Sequence, residues 1–310
     1  MSDDSVTPPS LRPVVAGTGL MARGIAAAFS AAGTDVLVLG RDLDRAEAAA
    51  RDARGLQPEA AFQRATAGTV TAGVLGDTAL HDVTVAVETV LEDMAVKQDV
   101  LALLDRDLPA DAVIGTNTAS FSLEALAEQL SVPGRFAGWH FMNPAHLTGL
   151  AEVIPGPQTE PDTIERLIAA TRALGKTPIQ MNFELPGFVW NRLIFAMWRE
   201  CEHIVQSGAA DRASVDAAVS DGLAARWTAG GPFVTMDLGG LDDFARAAEQ
   251  ILPQLANDTS VPARLWEAAA AGESLYSWSP EQRKATEQLR RQALESGAVL
   301  AHIRRGIGLA

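Results

Sequence analysis

The chain has 310 residues, 47% of them hydrophobic and 21% charged, with a formal net charge of −14. That length holds one large or two ordinary domains around a buried core, and the composition is that of a folded protein rather than a disordered one. The acidic surplus argues against nucleic acid and anionic membrane as partners, a single cysteine (Cys201) excludes an intramolecular disulfide and a cysteine-based zinc cluster, and no apolar run approaches the ~18 residues of a membrane span.

Residues 1–12 are polar, with two acids and two prolines, and read as a disordered leader that is neither a signal nor a transit peptide, so a cytoplasmic location is expected. From Pro13 onward short apolar runs alternate with helical periods. Val14–Ala16 reads as a strand, Leu20–Ala32 as an alanine-rich helix stopped by Gly33, and Asp35–Leu39 as a second strand. A helix through Ala46–Ala53 has Asp42 as its N-cap. Strands are expected at 83–87, 112–115, 136–140, 150–154 and 177–181, with helices near Asp93–Asp105, Ser122–Leu130 and Asp162–Leu174 between them. This alternation predicts βαβ units and a largely parallel sheet. Pro186-Gly187 marks a break, after which Phe188–Gln206, Ser214–Val219, Asp242–Leu252, Pro262–Ala271 and Pro280–Ile303 read as helices with no strand among them. The expected fold class is α/β: a Rossmann-like, doubly wound, mostly parallel sheet over 13–184, followed by an all-helical domain over 185–310.

The run Gly17-Thr18-Gly19-Leu20-Met21-Ala22 fits the G-x-G-x-x-G/A dinucleotide fingerprint between a strand and a helix. Gly17 permits the tight turn, Gly19 lets backbone approach a pyrophosphate, and Ala22 allows close packing of helix on strand. NAD binders usually carry an acid at the end of the second strand for the ribose 2′-hydroxyl; here that place is held by Gly40 and Arg41. Removing the carboxylate removes repulsion against a 2′-phosphate, and a guanidinium can bond it in a forked geometry. NADP(H) is therefore the expected cofactor, with NAD(H) the alternative if Asp42 turns toward the ribose.

Several segments together resemble the 3-hydroxyacyl-CoA dehydrogenase family. They are GTGLMARGIA, VETVLEDMAVKQDVL, GTNTASFSLEALA, RFAGWHFMNPAHLTGLAEVIPG, LGKTP and LPGFVWNRL, in that order over roughly residues 13–240. The later run SDGLAARW…GPF (220–233) is similar to the branch that includes lambda-crystallin/L-gulonate dehydrogenase and carnitine dehydrogenase, which act on small free hydroxy acids instead of CoA thioesters. The resemblance implies a Rossmann-like domain, a helical domain that forms a homodimer, and interconversion of a 3-hydroxy and a 3-oxo group with NADP(H) or NAD(H).

The same resemblance implies His140 as general base, Glu152 as its orienting carboxylate and Asn191 as a substrate-positioning amide. Oxidising a secondary alcohol requires loss of the hydroxyl proton as hydride leaves carbon, which suits an imidazole, and a carboxylate partner fixes its tautomer and steadies the imidazolium. Glu92, Lys97 and Asn117 are implied to line the cofactor. Ser120 and Asn143 are assigned to the substrate side, with Trp139 and Trp190, the neighbours of His140 and Asn191, lining a pocket for a flat or cationic substrate. The family's N-T-S-S run, whose first serine bonds the reacting oxygen, reads Asn117-Thr118-Ala119-Ser120 here, so Ala119 offers no donor there. Gly149 stands where relatives often have lysine, and the whole chain has only Lys97, Lys176 and Lys284, few for the phosphates of CoA. An acyl thioester, a free hydroxy acid and a cyclic β-keto acid of specialised metabolism stay open as substrates. A non-catalytic, cofactor-binding structural protein is the alternative of another class. His81, His146, His203 and His302 have no metal-ligand spacing, and no metal is expected; His146 is noted because it shares a loop with His140.

Overall fold

The structure, a computed structural model, describes residues 11–56 and 66–306; residues 1–10, read above as part of a leader, lie outside the described residues. Eight strands form one sheet: β1 (Pro13–Ala16), β2 (Val36–Gly40), β3 (Val70–Val74), β4 (Val85–Glu88), β5 (Val113–Thr116), β6 (Phe136–Phe141), β7 (Leu150–Pro155) and β8 (Thr177–Gln180). Their order is β3-β2-β1-β4-β5-β6-β7-β8. All neighbouring pairs are parallel except β6–β7, which is antiparallel. The helices α1 (Leu20–Ala31), α2 (Leu43–Gly55), α3 (Met94–Asp107), α4 (Leu123–Ala127) and α5 (Pro161–Ala173) supply the connections.

Strands β1, β4 and β5 are four-residue runs with every residue buried, the pattern of a parallel sheet covered on both faces. Successive residues therefore enter different cores. Val15, Val38, Trp139 and Val153 pack with Phe29 of α1 and Leu167 of α5, whereas Val14, Leu39, Ile114 and Ile154 pack with Leu101 of α3 and Leu126 of α4. Short side chains let α1 lie close to the sheet, where Ala22, Ile25 and Ala26 are fully buried. The N-cap of α2 is Asp42, whose carboxylate accepts from Arg45 N at 2.9 Å.

Strand β3 was not expected from the sequence. Gly73 breaks its alternation and Gly68 lies two residues before the strand, yet each sits where backbone or side chains approach closely: a Cβ on Gly73 would lie 2.6 Å from Thr78 Oγ1, and one on Gly68 2.1 Å from Thr34 O.

The chain divides into two compact units, the first ending at Val189 and the second beginning at Trp190. Helix α6 (Phe188–Gln206) leads into the second, which continues with α7 (Arg212–Ala217), a π-helical turn (Ala218–Leu223), α8 (Ala224–Ala229), α9 (Pro232–Gly239), α10 (Leu241–Ile251), α11 (Ala263–Ala271) and α12 (Pro280–Gly306). The sequence reading placed no helix over 220–241, where α8 and α9 stand. Among the described residues of this unit, Val215 and Ala256 are the only buried hydrophobic side chains, while Phe233 and Leu238 are 81% and 83% exposed. No helix among the described residues is long and apolar enough to cross a membrane.

Candidate active site

In an open α/β sheet, ligands bind beyond the carboxyl ends of the strands where the strand order reverses, here between β1 and β4. Gly17 leaves β1 with φ 139° and donates to Leu39 O at 2.9 Å. A Cβ there would lie 2.5 Å from Thr89 O, so the turn accepts only glycine. Gly19 is the N-cap of α1 with an ordinary φ of −77° and no side-chain cap, and a Cβ on it would meet nothing within 4 Å. The first N–H groups of α1 thus face an open cradle, the arrangement that receives a pyrophosphate. Leu20 is exposed beside it, Met21 half-buried and Ala22 buried. These residues fit a nicotinamide dinucleotide.

At the end of β2 the side chain of Arg41 is 72% exposed and pairs with Asp42 Oδ2 at 3.5 Å. The same carboxylate caps α2 and lies 3.4 Å from Arg45 Nε, so Asp42 is engaged by its own loop.

The ends of β4 and β5 carry a buried polar network. Lys97 Nζ lies 2.9 and 3.1 Å from the two oxygens of Glu88 and 3.2 Å from Glu92 Oε2. Thr116 Oγ1 donates to Glu88 Oε2 at 2.6 Å, and Val90 N to Glu88 Oε1 at 2.7 Å. Both Lys97 and Glu88 are buried, and only this mutual satisfaction makes the burial of two charges tolerable. Glu92 Oε1 accepts from Thr118 Oγ1 at 2.5 Å, Ser120 Oγ at 2.8 Å and Ala119 N at 3.2 Å. Partial burial alone would raise the Glu92 pKa, but the Thr118 hydroxyl, the Lys97 ammonium and the Ser120 hydroxyl together hold it below the usual range. Asn117 Oδ1 accepts from Phe141 N at 2.7 Å, tying the end of β5 to the strand of the histidine. Glu88 was missed in the sequence reading; its signal is an acid closing an apolar strand, nine residues before one of only three lysines.

His140 and Glu152 are direct partners in the antiparallel ladder of β6 and β7. Residues so paired project from the same face with Cβ atoms about 4.5–5.5 Å apart. His140 Nδ1 lies 2.8 Å from Glu152 Oε2, with both side chains buried. Glu152 Oε1 accepts from Val189 N at 2.8 Å. That amide is aimed by the turn before it, where Gly187 and Phe188 have φ 81° and 51° and Phe188 N donates to Leu185 O at 2.7 Å. The Phe188 ring meets the imidazole edge-on at 5.4 Å. Phe188 and the Val189 amide are thus further parts of the site; the Pro-Gly-Phe run is their sequence signal, although a main-chain donor has no letter of its own.

Asn143 is exposed in the loop after β6 and precedes a cis peptide bond to Pro144. Trp139, read from the sequence as a pocket residue, is 0% exposed: its indole donates to Thr171 Oγ1 at 2.8 Å and packs on Phe29 and Phe141. Strand alternation forces this, since His140 beside it takes the other face. Trp190 and Asn191 belong to the second unit on α6, Trp190 exposed and Asn191 half-buried. Among the described residues no group of three His, Cys, Asp or Glu is gathered as a metal site.

The two loop glycines separate packing from binding. Gly17→Ala is expected to lower stability by about 1–3 kcal/mol in denaturant unfolding. Gly19→Ala should unfold like the wild type yet weaken dinucleotide binding about tenfold or more, a change of at least ~1.4 kcal/mol, in a fluorescence titration with NADPH and NADH.

The sequence profile for the 3-hydroxyacyl-CoA dehydrogenase NAD binding domain matches residues 14–184, and that for the C-terminal domain of the same family matches 187–288. Over 297 residues, 90% of this chain and 94% of the relative, the chain is 29% identical to 5-formyl-3-hydroxy-2-methylpyridine 4-carboxylate 5-dehydrogenase of Mesorhizobium japonicum. It is 34% identical over 254 residues to L-carnitine dehydrogenase of Streptomyces griseus, covering 79% of this chain and 74% of that one. A crystal structure of 5-formyl-3-hydroxy-2-methylpyridine 4-carboxylic acid 5-dehydrogenase, described as an NAD+ dependent dismutase, superposes with a TM-score of 0.84 at 27% identity, covering 97% of this chain and 100% of that chain. With both domain profiles matched in order and the glycine loop and the His–Glu pair on one sheet, the chain belongs to the 3-hydroxyacyl-CoA dehydrogenase family and is an oxidoreductase with a nicotinamide dinucleotide-binding domain.

Proposed function

We propose that the protein interconverts a hydroxyl and a carbonyl group on a small carboxylic acid, with His140 as general acid/base and Glu152 as its orienting carboxylate. The observation that carries this reading is the 2.8 Å contact between His140 Nδ1 and a Glu152 held from behind by Val189 N. An ionised carboxylate only accepts, so Nδ1 carries the proton and Nε2 is left with its lone pair. In the oxidative direction Nε2 takes the hydroxyl proton, and the imidazolium so formed is steadied by Glu152; in reduction the proton returns to the carbonyl oxygen. A bound nicotinamide dinucleotide supplies the hydride acceptor or donor. Asn191 is assigned the substrate amide on the family motif, with Asn143 and Trp190 as further substrate-side residues. Ala119 has no hydroxyl, and the hydrogen of Ser120 is donated to Glu92, so neither side chain takes over the family serine's bond to the reacting oxygen in this arrangement.

A free acid is favoured over a CoA thioester by the scarcity of lysine and by two of the relatives, whose names describe L-carnitine and a pyridine carboxylate, while others are named for 3-hydroxybutyryl-CoA. The near full-length likeness to the pyridine carboxylate enzyme also supports a ring-bearing acid. NADP(H) is proposed over NAD(H) because Gly40 replaces the usual acid and Asp42 is occupied as a helix cap. The dimer is proposed through the helical unit, whose apolar side chains stand exposed on its own surface and which buries two hydrophobic side chains among its described residues. A cytoplasmic location is retained as part of this reading.

Four experiments test it. Oxidation of free 3-hydroxybutyrate, L-carnitine, an aromatic hydroxymethyl carboxylate and (S)-3-hydroxybutyryl-CoA should favour the free acids, and His140→Ala should lower kcat by about 10²-fold or more with dinucleotide Kd unchanged; an active variant removes the assigned base. Arg41→Ala should weaken NADPH about tenfold while sparing NADH, and equal losses on both leave NAD(H) as the cofactor. Light scattering should give twice the 32.7 kDa chain mass, and a stable folded monomer at micromolar concentration contradicts the dimer.

A further inference from the structure

The loop of residues 142–149 joins β6 to β7 and so connects the strands that carry His140 and Glu152. It is fastened from several sides. Thr148 Oγ1 lies 3.0 Å from Met142 O and 3.2 Å from Pro144 O, closing the loop on itself with its one hydrogen. Thr177 N donates to Gly149 O at 2.8 Å. On another side Ala145 packs against α1 so closely that a Cβ on Gly24 would lie 3.2 Å from its Cβ and 3.3 Å from its N. At the centre Lys176 Nζ donates to Ala145 O at 2.8 Å and to Thr148 O at 2.5 Å.

Lys176 is 2% exposed, one of three lysines in the chain, and belongs to the LGKTP run to which no role has been given. Burial pushes its pKa down to about 7, so placing an ammonium there has a cost that a methionine of similar length would not incur. What the amino group provides, protonated or neutral, is at least two N–H donors at one point, enough to hold two carbonyls of a folded loop at a fixed separation. An apolar side chain fills the volume without fixing the carbonyls.

We propose that Lys176 is a positioning residue for the reaction: by holding the carbonyls of Ala145 and Thr148 it fixes the loop that presents Asn143, keeps that loop seated on the dinucleotide helix α1, and thereby sets His140 at the sheet edge. This rests on the assignment of His140 as the acid/base. A misplacement of about 1 Å at a reacting group costs up to ~10²-fold in rate, which is the scale on which such a residue acts.

The test uses the full chain with Lys176→Met, Thr148→Val, and Arg135→Gln as a structural control. Arg135 is also buried, pairing with Asp105 at 3.0 Å at the opposite end of β6, so its loss destabilises the sheet without touching the loop. Turnover is measured on whichever of the three free acids and one thioester above has the highest wild-type kcat/KM, with dinucleotide Kd and amide hydrogen exchange read on the same samples. Lys176→Met is expected to lower kcat about 10- to 100-fold, leave NADPH and NADH Kd within about twofold, and speed exchange of amides 143–149 while β1, β4 and β5 stay protected. Thr148→Val loosens the same loop without touching Lys176 and should shift kcat and loop exchange in the same direction by less; if Lys176→Met does not fold, Lys176→Gln, which keeps an N–H donor group on a shorter side chain, is read in its place. Arg135→Gln should lower the melting temperature with kcat per folded molecule and loop exchange unchanged. Wild-type kcat and loop exchange in Lys176→Met, or activity losses that merely track loss of folded protein in all three variants, overturn the proposal. If His140→Ala is active the acid/base reading fails by itself, and the exchange of residues 143–149 still decides whether Lys176 holds the loop.

Discussion

A carboxylate with no exposure to solvent survives in a protein interior only when its lone pairs are taken up. Glu152 meets that condition by accepting from His140 Nδ1 with one oxygen and from the Val189 amide with the other. Three segments therefore converge on one side chain: β6 through the histidine, β7 through the glutamate itself, and the turn into α6 through the amide. The bond to Val189 keeps the carboxylate from rotating away, and the bond to His140 selects which ring nitrogen keeps its proton. Position and tautomer of the imidazole follow from the same buried charge.

The sheet edge repeats this device. Glu88 and Lys97 neutralise each other beneath the ends of β4 and β5, and Glu92 extends the pair toward the hydroxyls of Thr118 and Ser120. Lys176 anchors two loop carbonyls on the far side of β6. Buried charged groups satisfied in this way contribute little net stability against a well-packed apolar alternative. Their return is orientation: donors and acceptors held without rearrangement are what a reaction that moves a proton and a hydride requires. Two of the three lysines in the chain are used in this way.

The helical unit is organised differently. Its helices show apolar side chains such as Leu193, Phe195, Leu241 and Phe244 at the surface, and α10 places Leu241, Phe244 and Ile251 on an exposed flank. A stretch of this length normally buries most of its large apolar side chains. The first unit does so on both faces of its sheet; the second keeps its hydrophobic surface outward.

The sequence alone determined the alternation of strands and helices in the first unit, the Asp42 cap, the glycine loop and the change to helices after Pro186-Gly187, because each of these depends on near neighbours: periodicity, a cap and the residues it serves, a turn and its glycine. It also singled out His140 and Glu152, through motif. Their pairing depended on the antiparallel register of β6 and β7, and so did the fate of Trp139, since the choice of face for one residue of a strand dictates the other for its neighbour. Strand β3 escaped because Gly73 interrupts its apolar alternation, and the close approach of Leu39 from the neighbouring β2 that Gly73 accommodates is in no local pattern. Glu88, the Val189 amide and the two carbonyls under Lys176 were decided only by tertiary structure. A buried donor or acceptor is assigned its partner by whichever distant segment packs against it, and that is a property of the folded chain that no local run of residues contains.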